Sequence, residues 1–208
     1  MIATALSYGA LWGIAEATIG YLLHLSARLV PLPGIAGFIM FPVAFYCMYR
    51  VFMQTGSPGA VLLTAVIAAA TKALSALHPV IVPLFVINPS IALLMEGLAV
   101  AAAALLLPRA LTKPRSLEQA AVILSTAIGW RLLFLSAVLL LPVQKGILMK
   151  GPAALSSFLL VEGIFSAVLC FGLLSLSAAP KRASNRSWRT ALLLFPLAVA
   201  LQIASGLG

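Results

Sequence analysis

The sequence predicts an all-α integral membrane protein, a compact bundle of six transmembrane helices followed by a seventh apolar helix near the C-terminal end. Three observations predict it. Hydrophobic residues make up 63% of the 208 residues and charged residues only 8%, with a mean hydropathy of +1.16, a composition outside the range of soluble domains. Apolar runs of about 20 residues, the length that crosses a hydrocarbon core, recur between breaks rich in Pro, Gly or basic residues. Strand alternation is absent from those runs, so helices rather than a barrel must satisfy the backbone in lipid.

The first helix, Met1 to His24, carries two signals at once. Ala5, Gly9, Gly13 and Ala17 recur at every fourth position, which lines them up as one bare stripe, a docking face for another helix. Glu16 stands near the outer end of the same helix, and acids inside a membrane turn toward a protein interior or a cavity. A break from Arg28 to Gly34, with Pro31 and Pro33, leads into a second run from Gly37 to Met53, where Pro42 predicts a kink.

Ser57 and Pro58 place an N-cap residue before a proline at the first helical position, opening a third helix that runs to Leu77 and carries Lys72. His78 to Ile87 holds Pro79 and Pro83 and reads as a loop packed on the bundle. Asn88-Pro89 repeats the cap-plus-proline signal and predicts the start of a fourth helix, to Leu107, containing Glu96. Ser116 with Gln119 forms a capping box for the fifth helix, which carries Trp130 and Arg131 and stops near Pro142. Gly151-Pro152 opens the sixth, with Glu162, to Ala178, and Thr190 to Leu207 is just long enough to span. The chain divides into a bundle over 1–178 and a basic connection with its terminal helix over 179–208.

The formal charge is +9, but the basic residues fall between apolar runs, which points to membrane orientation and away from nucleic acid. Arg50, the Arg109 to Arg115 group and the Lys181 to Arg189 group follow the even-numbered helices. These connections are expected to face the cytoplasm, with the N-terminus inside and the protein in the inner, cytoplasmic membrane. Cys47 and Cys170 sit in apolar runs without a CxxC spacing and read as buried free thiols. With no Lys or Arg ahead of the first apolar run, a removed signal peptide is not expected.

Counting about 1.5 Å of rise per residue, Glu16, Lys72, Glu96, Arg131 and Glu162 fall roughly 9 to 15 Å below the outer surface. They share a layer. Lys72 with Glu96 and Arg131 with Glu162 can be ion pairs between successive helices, or the layer can floor a cavity that meets a solute. Glu16 lacks an evident partner and is the acid favoured for ligand contact. Asn88, at the expected start of the fourth helix, would present free backbone N–H groups to an anion or act as a plain cap.

His24 and His78 are the two histidines and fall at the expected outer mouth, where imidazole could ligate a metal or a metal-bearing macrocycle; two residues are a weak metal signal, and interfacial histidines without a ligand role are the favoured reading. Trp12, Tyr21, Tyr46, Tyr49 and Phe85 can stack on a flat ligand or serve as packing anchors. There is no phosphate-binding glycine loop, no HExxH, no GxSxG and no Asp. Catalysis, a cofactor and a metal are therefore not expected. Glu96-Gly97 and Glu162-Gly163 make a faint echo between two helices.

On these residues the chain resembles the substrate-binding S component of energy-coupling factor (ECF) transporters, small hydrophobic subunits for vitamin import. The resemblance covers Met1 to about Ala178, and its most specific element is the Ala5, Gly9, Gly13, Ala17 ribbon. It implies that the ribbon docks on a transmembrane T component driven by two ATP-binding subunits, or that the chain works alone as some members do. It also implies that the connections Leu25 to Gly34 and His78 to Asn88 gate a pocket for a vitamin-like ligand; the candidate contacts, read from the residues themselves, are Glu16, His24, Lys72, His78, Asn88, Glu96, Arg131 and Glu162. Glycines replace two of the family's usual alanines, and the seventh run is additional. The N-terminal Met-His of its metal-importing members is absent, which argues against nickel or cobalt cargo. Two other classes compete: a self-contained proton-coupled carrier using Glu16 or Glu162, and a non-transporting structural subunit in which the stripe is an assembly interface.

Overall fold

The computed structural model describes residues 1–20, 22–23, 35–77, 84–141, 143, 146–177 and 187–204. Among these there is no strand. The helices are α1 (Ile2–Ala15), α2 (Ile35–Thr55), α3 (Pro58–Ala73), α4 (Leu84–Leu106), α5 (Pro108–Thr112), α6 (Leu117–Leu140), α7 (Pro152–Ser156), α8 (Glu162–Leu176) and α9 (Ser187–Ala204). A π-helical turn, Glu16–Gly20, extends α1, and a second, Ser157–Val161, joins α7 to α8 into one continuous rod.

Helix α2 is the axis of the bundle. Phe41, Ala44, Phe45, Met48 and Val51 are fully buried, and so, on its other sides, are Met40, Cys47, Tyr49 and Phe52. A helix that is apolar and covered all round belongs in the interior. It touches α1, α3, α4 and α8, while the neighbours α1–α3, α3–α4, α4–α6 and α6–α8 form a ring around it that is open between α8 and α1. Helix α9 stands outside that ring and packs mainly on α1.

The local signals behave as their chemistry requires. Ser57 accepts from the Ala60 amide at 3.3 Å with Pro58 in the first turn. Ser116 accepts from the Gln119 amide at 3.0 Å, but the Gln119 side chain returns to the Arg115 amide, at 3.0 Å, rather than to the cap residue itself. Two expectations need correction. Helix α4 begins at Leu84, so Leu84 to Ile87 is helix and not loop, and Asn88-Pro89 lies inside the element. The apolar residues ahead of Asn88 extend the helix despite the amide that Pro89 lacks. The connection after α4 contains the short helix α5, which the basic, Pro-bearing sequence concealed.

Glycines explain the Glu-Gly echo. A Cβ on Gly97 would run into Ala65 of α3, and one on Gly163 would lie 3.1 Å from Ile128 of α6. Each glycine therefore lets its helix close on a neighbour beside a buried glutamate.

Candidate functional site

Four helices, Pro58–Ala76, Val86–Leu106, Leu117–Leu140 and Pro152–Leu176, are long and apolar enough to cross a membrane, while Trp188–Ala204 is shorter. Within this scaffold the buried charges are linked as electrostatic neighbours. Lys72 of α3 acts on Glu16, Glu16 on Glu96 of α4, Glu96 on Arg131 of α6, and Arg131 on Glu162 at the start of α8. Each of these five charges, drawn from five elements, therefore lies within electrostatic reach of the next. The pairing differs from the expected one. Lys72 answers Glu16 rather than Glu96, so Glu16 does have an opposing charge on a neighbouring helix.

Arg131 is fully buried and is the best-held member. Its Nη1 donates to the Ala127 carbonyl at 2.7 Å, and its Nη2 donates to Ser166 Oγ at 2.9 Å and to the Glu162 main-chain carbonyl at 3.3 Å. Ser166 in turn donates to the Phe38 carbonyl at 3.2 Å, which ties α6, α8 and α2 into one node. The guanidinium carbon lies 4.5 Å from the Trp130 ring centre and 5.5 Å from that of Phe158, geometry that favours a cation on an aromatic face. Trp130 also stacks on Phe41 of α2 at 5.7 Å.

The expected Arg131–Glu162 pair is thus made through the main chain of Glu162, and its carboxylate remains open. Among the described residues, the one ion pair within 4 Å is Lys113–Glu118, on the surface at 2.9 Å. Arg131 Nε and Glu162 Oε2 are both buried without a hydrogen-bond partner. A donor and an acceptor left open in one cluster are unusual, because an unmet buried polar group costs about 1–3 kcal/mol.

Both π-helical turns border this layer. Glu16 opens the first and Glu162 follows the second. A π turn inserts an extra residue into the helical register and is frequent at functional sites. The Glu16 carboxylate folds over Gly20, where a Cβ would stand 3.2 Å from Oε2, beside the indole of Trp12. Asn88 is half-buried inside α4. His24 and His78 lie outside the described residues, as do the expected gating connections apart from 84–88. Tyr46 accepts from Arg50 at 3.0 Å, and Trp12 and Tyr49 are core residues.

The small-residue stripe is a docking face whose occupants belong to the same chain. Ala5, Gly9, Gly13 and Ala17 are all buried. A Cβ on Gly9 would stand 2.8 Å from Ile67 Cβ and 2.9 Å from the Thr64 carbonyl of α3, and one on Gly13 would stand 2.7 Å from Thr71 Oγ1 and 3.7 Å from Ala198 Cβ of α9. Helix α9 is seated by Ala191 and Ala198, both fully buried, and by Gln202 Nε2, which donates to Ser75 Oγ at 2.5 Å. In this structure α3 and α9 therefore lie on the stripe that the sequence expects a partner to use.

Sequence reasoning passed over Ser166, Phe158 and the π turns. Ser166 was within reach, because it lies four residues after Glu162 and so shares its helix face. The π turns leave no compositional mark. Together, the helical fold of the described residues and the four helices long and apolar enough to cross a membrane suggest the class, an α-helical membrane protein. The chain is matched by no family model, no curated protein and no solved structure.

Proposed function

We propose that the protein is a membrane-embedded, non-catalytic capture subunit for a vitamin or related micronutrient, similar to the S components of ECF transporters and powered by a T component and its ATPases. The observation that carries this reading is the linked layer Lys72–Glu16–Glu96–Arg131–Glu162, in which Arg131 Nε and Glu162 Oε2 are an unmet donor and acceptor and the Arg131 guanidinium lies against the Trp130 and Phe158 rings. In this reading six helices span the inner membrane with the N-terminus in the cytoplasm, and a solute enters from the outer side.

Native mass spectrometry of the gently purified protein is expected to show a bound small molecule of vitamin-like mass. A matching compound should raise the melting temperature in proportion to ligand excess over Kd. A protein that is empty and unresponsive to a vitamin panel would reject the capture role. Glu96 supports a second reading: its carboxylate is buried and makes no hydrogen bond among the described residues, as suits a proton-carrying acid in a gradient-driven carrier. Uptake by the isolated chain in proteoliposomes, driven by a proton gradient alone, would favour that carrier.

Docking of a T component on the Gly13 part of the α1 stripe requires α9 to leave it. The 3.7 Å between the Gly13 and Ala198 Cβ positions suits a disulfide. On a Thr71→Ala background, which clears the contact with Thr71 Oγ1, Gly13→Cys with Ala198→Cys is expected to cross-link on oxidation. Oxidation should then abolish partner-dependent uptake, and reduction should restore it. Undiminished uptake by the fully cross-linked protein would show that coupling does not use this face.

A further inference from the structure

The end of α4 and the start of α6 meet at the boundary of two spanning segments, Val86–Leu106 and Leu117–Leu140. Between them lies an open groove of about 410 Å³ lined by Leu106, Leu107, Pro108, Arg109 and Ala110 on one side and Glu118 on the other. Its rim is strongly apolar: Leu105, Leu106 and Leu107 are exposed, and Leu117 is 87% exposed. Exposed leucines at the end of a helix long enough to span suit contact with acyl chains.

Charge is set above that apolar rim. Lys113 is engaged by Glu118 at 2.9 Å, which answers the acid in the groove wall. Arg115 donates to the Ser175 carbonyl at 2.8 Å. The exposed guanidinium of Arg109, by contrast, makes no hydrogen bond or ion pair with any described residue. Three cations against one paired acid leave a local surplus of positive charge, with Arg109 as its uncommitted donor.

We propose that this groove is a binding site for one anionic glycerophospholipid. Its phosphodiester is held by the forked donors of Arg109, with long-range attraction from Lys113 and Arg115, and its acyl chains lie over Leu105, Leu106 and Leu107. The fork of a guanidinium matches two phosphate oxygens, and basic sites at the ends of transmembrane helices select anionic headgroups. The zwitterionic headgroup of phosphatidylcholine carries its own cation and lacks that match. The inference stands on this groove alone and is independent of what the buried charge layer binds.

The test is native mass spectrometry of the full chain titrated with phosphatidylglycerol or phosphatidylcholine in detergent, for the wild type, Arg109→Gln, Arg109→Lys and the distant control Lys150→Gln. Phosphatidylglycerol is expected to bind roughly tenfold more tightly than phosphatidylcholine as a single adduct. Arg109→Gln should erase that preference, Arg109→Lys should retain part of it, and Lys150→Gln should retain it all. Equal retention of the two lipids, or an unchanged preference in Arg109→Gln, would overturn the proposal. Displacement of the lipid by millimolar inorganic phosphate would reassign the site to free phosphate. Arg109 is exposed, so unchanged melting of the variants is expected and separates binding from folding.

Discussion

Arg131→Met is expected to destabilise the protein by about 3–5 kcal/mol, because it removes the cation from a buried charge cluster and leaves its acids unanswered. The guanidinium is fully buried and holds α6 to α8 directly and to α2 through Ser166. Met fills much of the same volume, so the loss reports charge and hydrogen bonding rather than a cavity. Glu162→Gln alone should cost far less, since the contact to Arg131 runs through the Glu162 main-chain carbonyl. Reversible unfolding in mixed micelles measures both, and combining them gives the coupling between the two side chains. If Arg131→Met unfolded like the wild type, water must already screen this layer, and the open Arg131 Nε and Glu162 Oε2 would be hydrated groups rather than ligand contacts.

The second large effect is expected at Gly9. Any side chain there meets Ile67 and, at 2.9 Å, the Thr64 carbonyl. A backbone oxygen cannot rotate aside as a side chain can. Gly9→Leu is therefore expected to cost about 3 kcal/mol, whereas Leu11→Ala, at a residue 40% exposed on the same helix, should cost about 0.5 kcal/mol or less. Thermal melting in detergent distinguishes the two. From sequence alone, a bulky residue in the stripe is expected to abolish uptake while sparing ligand binding; with α3 and α9 on that stripe, the fold itself is struck. A stable Gly9→Leu protein that failed only in coupling would restore the free-face reading.

Much of the helical plan was legible because each apolar run carries its own punctuation. Ser57-Pro58 and Ser116 cap helices within one turn of themselves, through bonds that depend on neighbours in sequence. Asn88-Pro89 shows where such reading stops. The same dipeptide chemistry is present, yet Leu84 to Ile87 continues the helix upstream, since an apolar segment in a bundle gains more from a continuous helix than one missing amide costs. The two π turns are illegible for a related reason: a one-residue register shift arises from how a helix seats on its neighbours, and no residue type encodes it.

For the candidate site, the sequence by itself determined which charges lie inside the apolar runs and where along each run they fall, because rise per residue converts position into height along a helix. It also determined that α1 offers a face narrow enough for close helix contact, because fourfold spacing of small residues places them together whatever the partner. Only the tertiary structure decided the partners: Lys72 with Glu16, the Glu162 carbonyl and Ser166 with Arg131, and α3 and α9 with the stripe. The physical reason is the azimuth between helices. Height along a helix follows from counting along one chain segment, but which side chains meet depends on how each helix is rotated about its own axis against the others, and that rotation is settled by packing of the whole bundle.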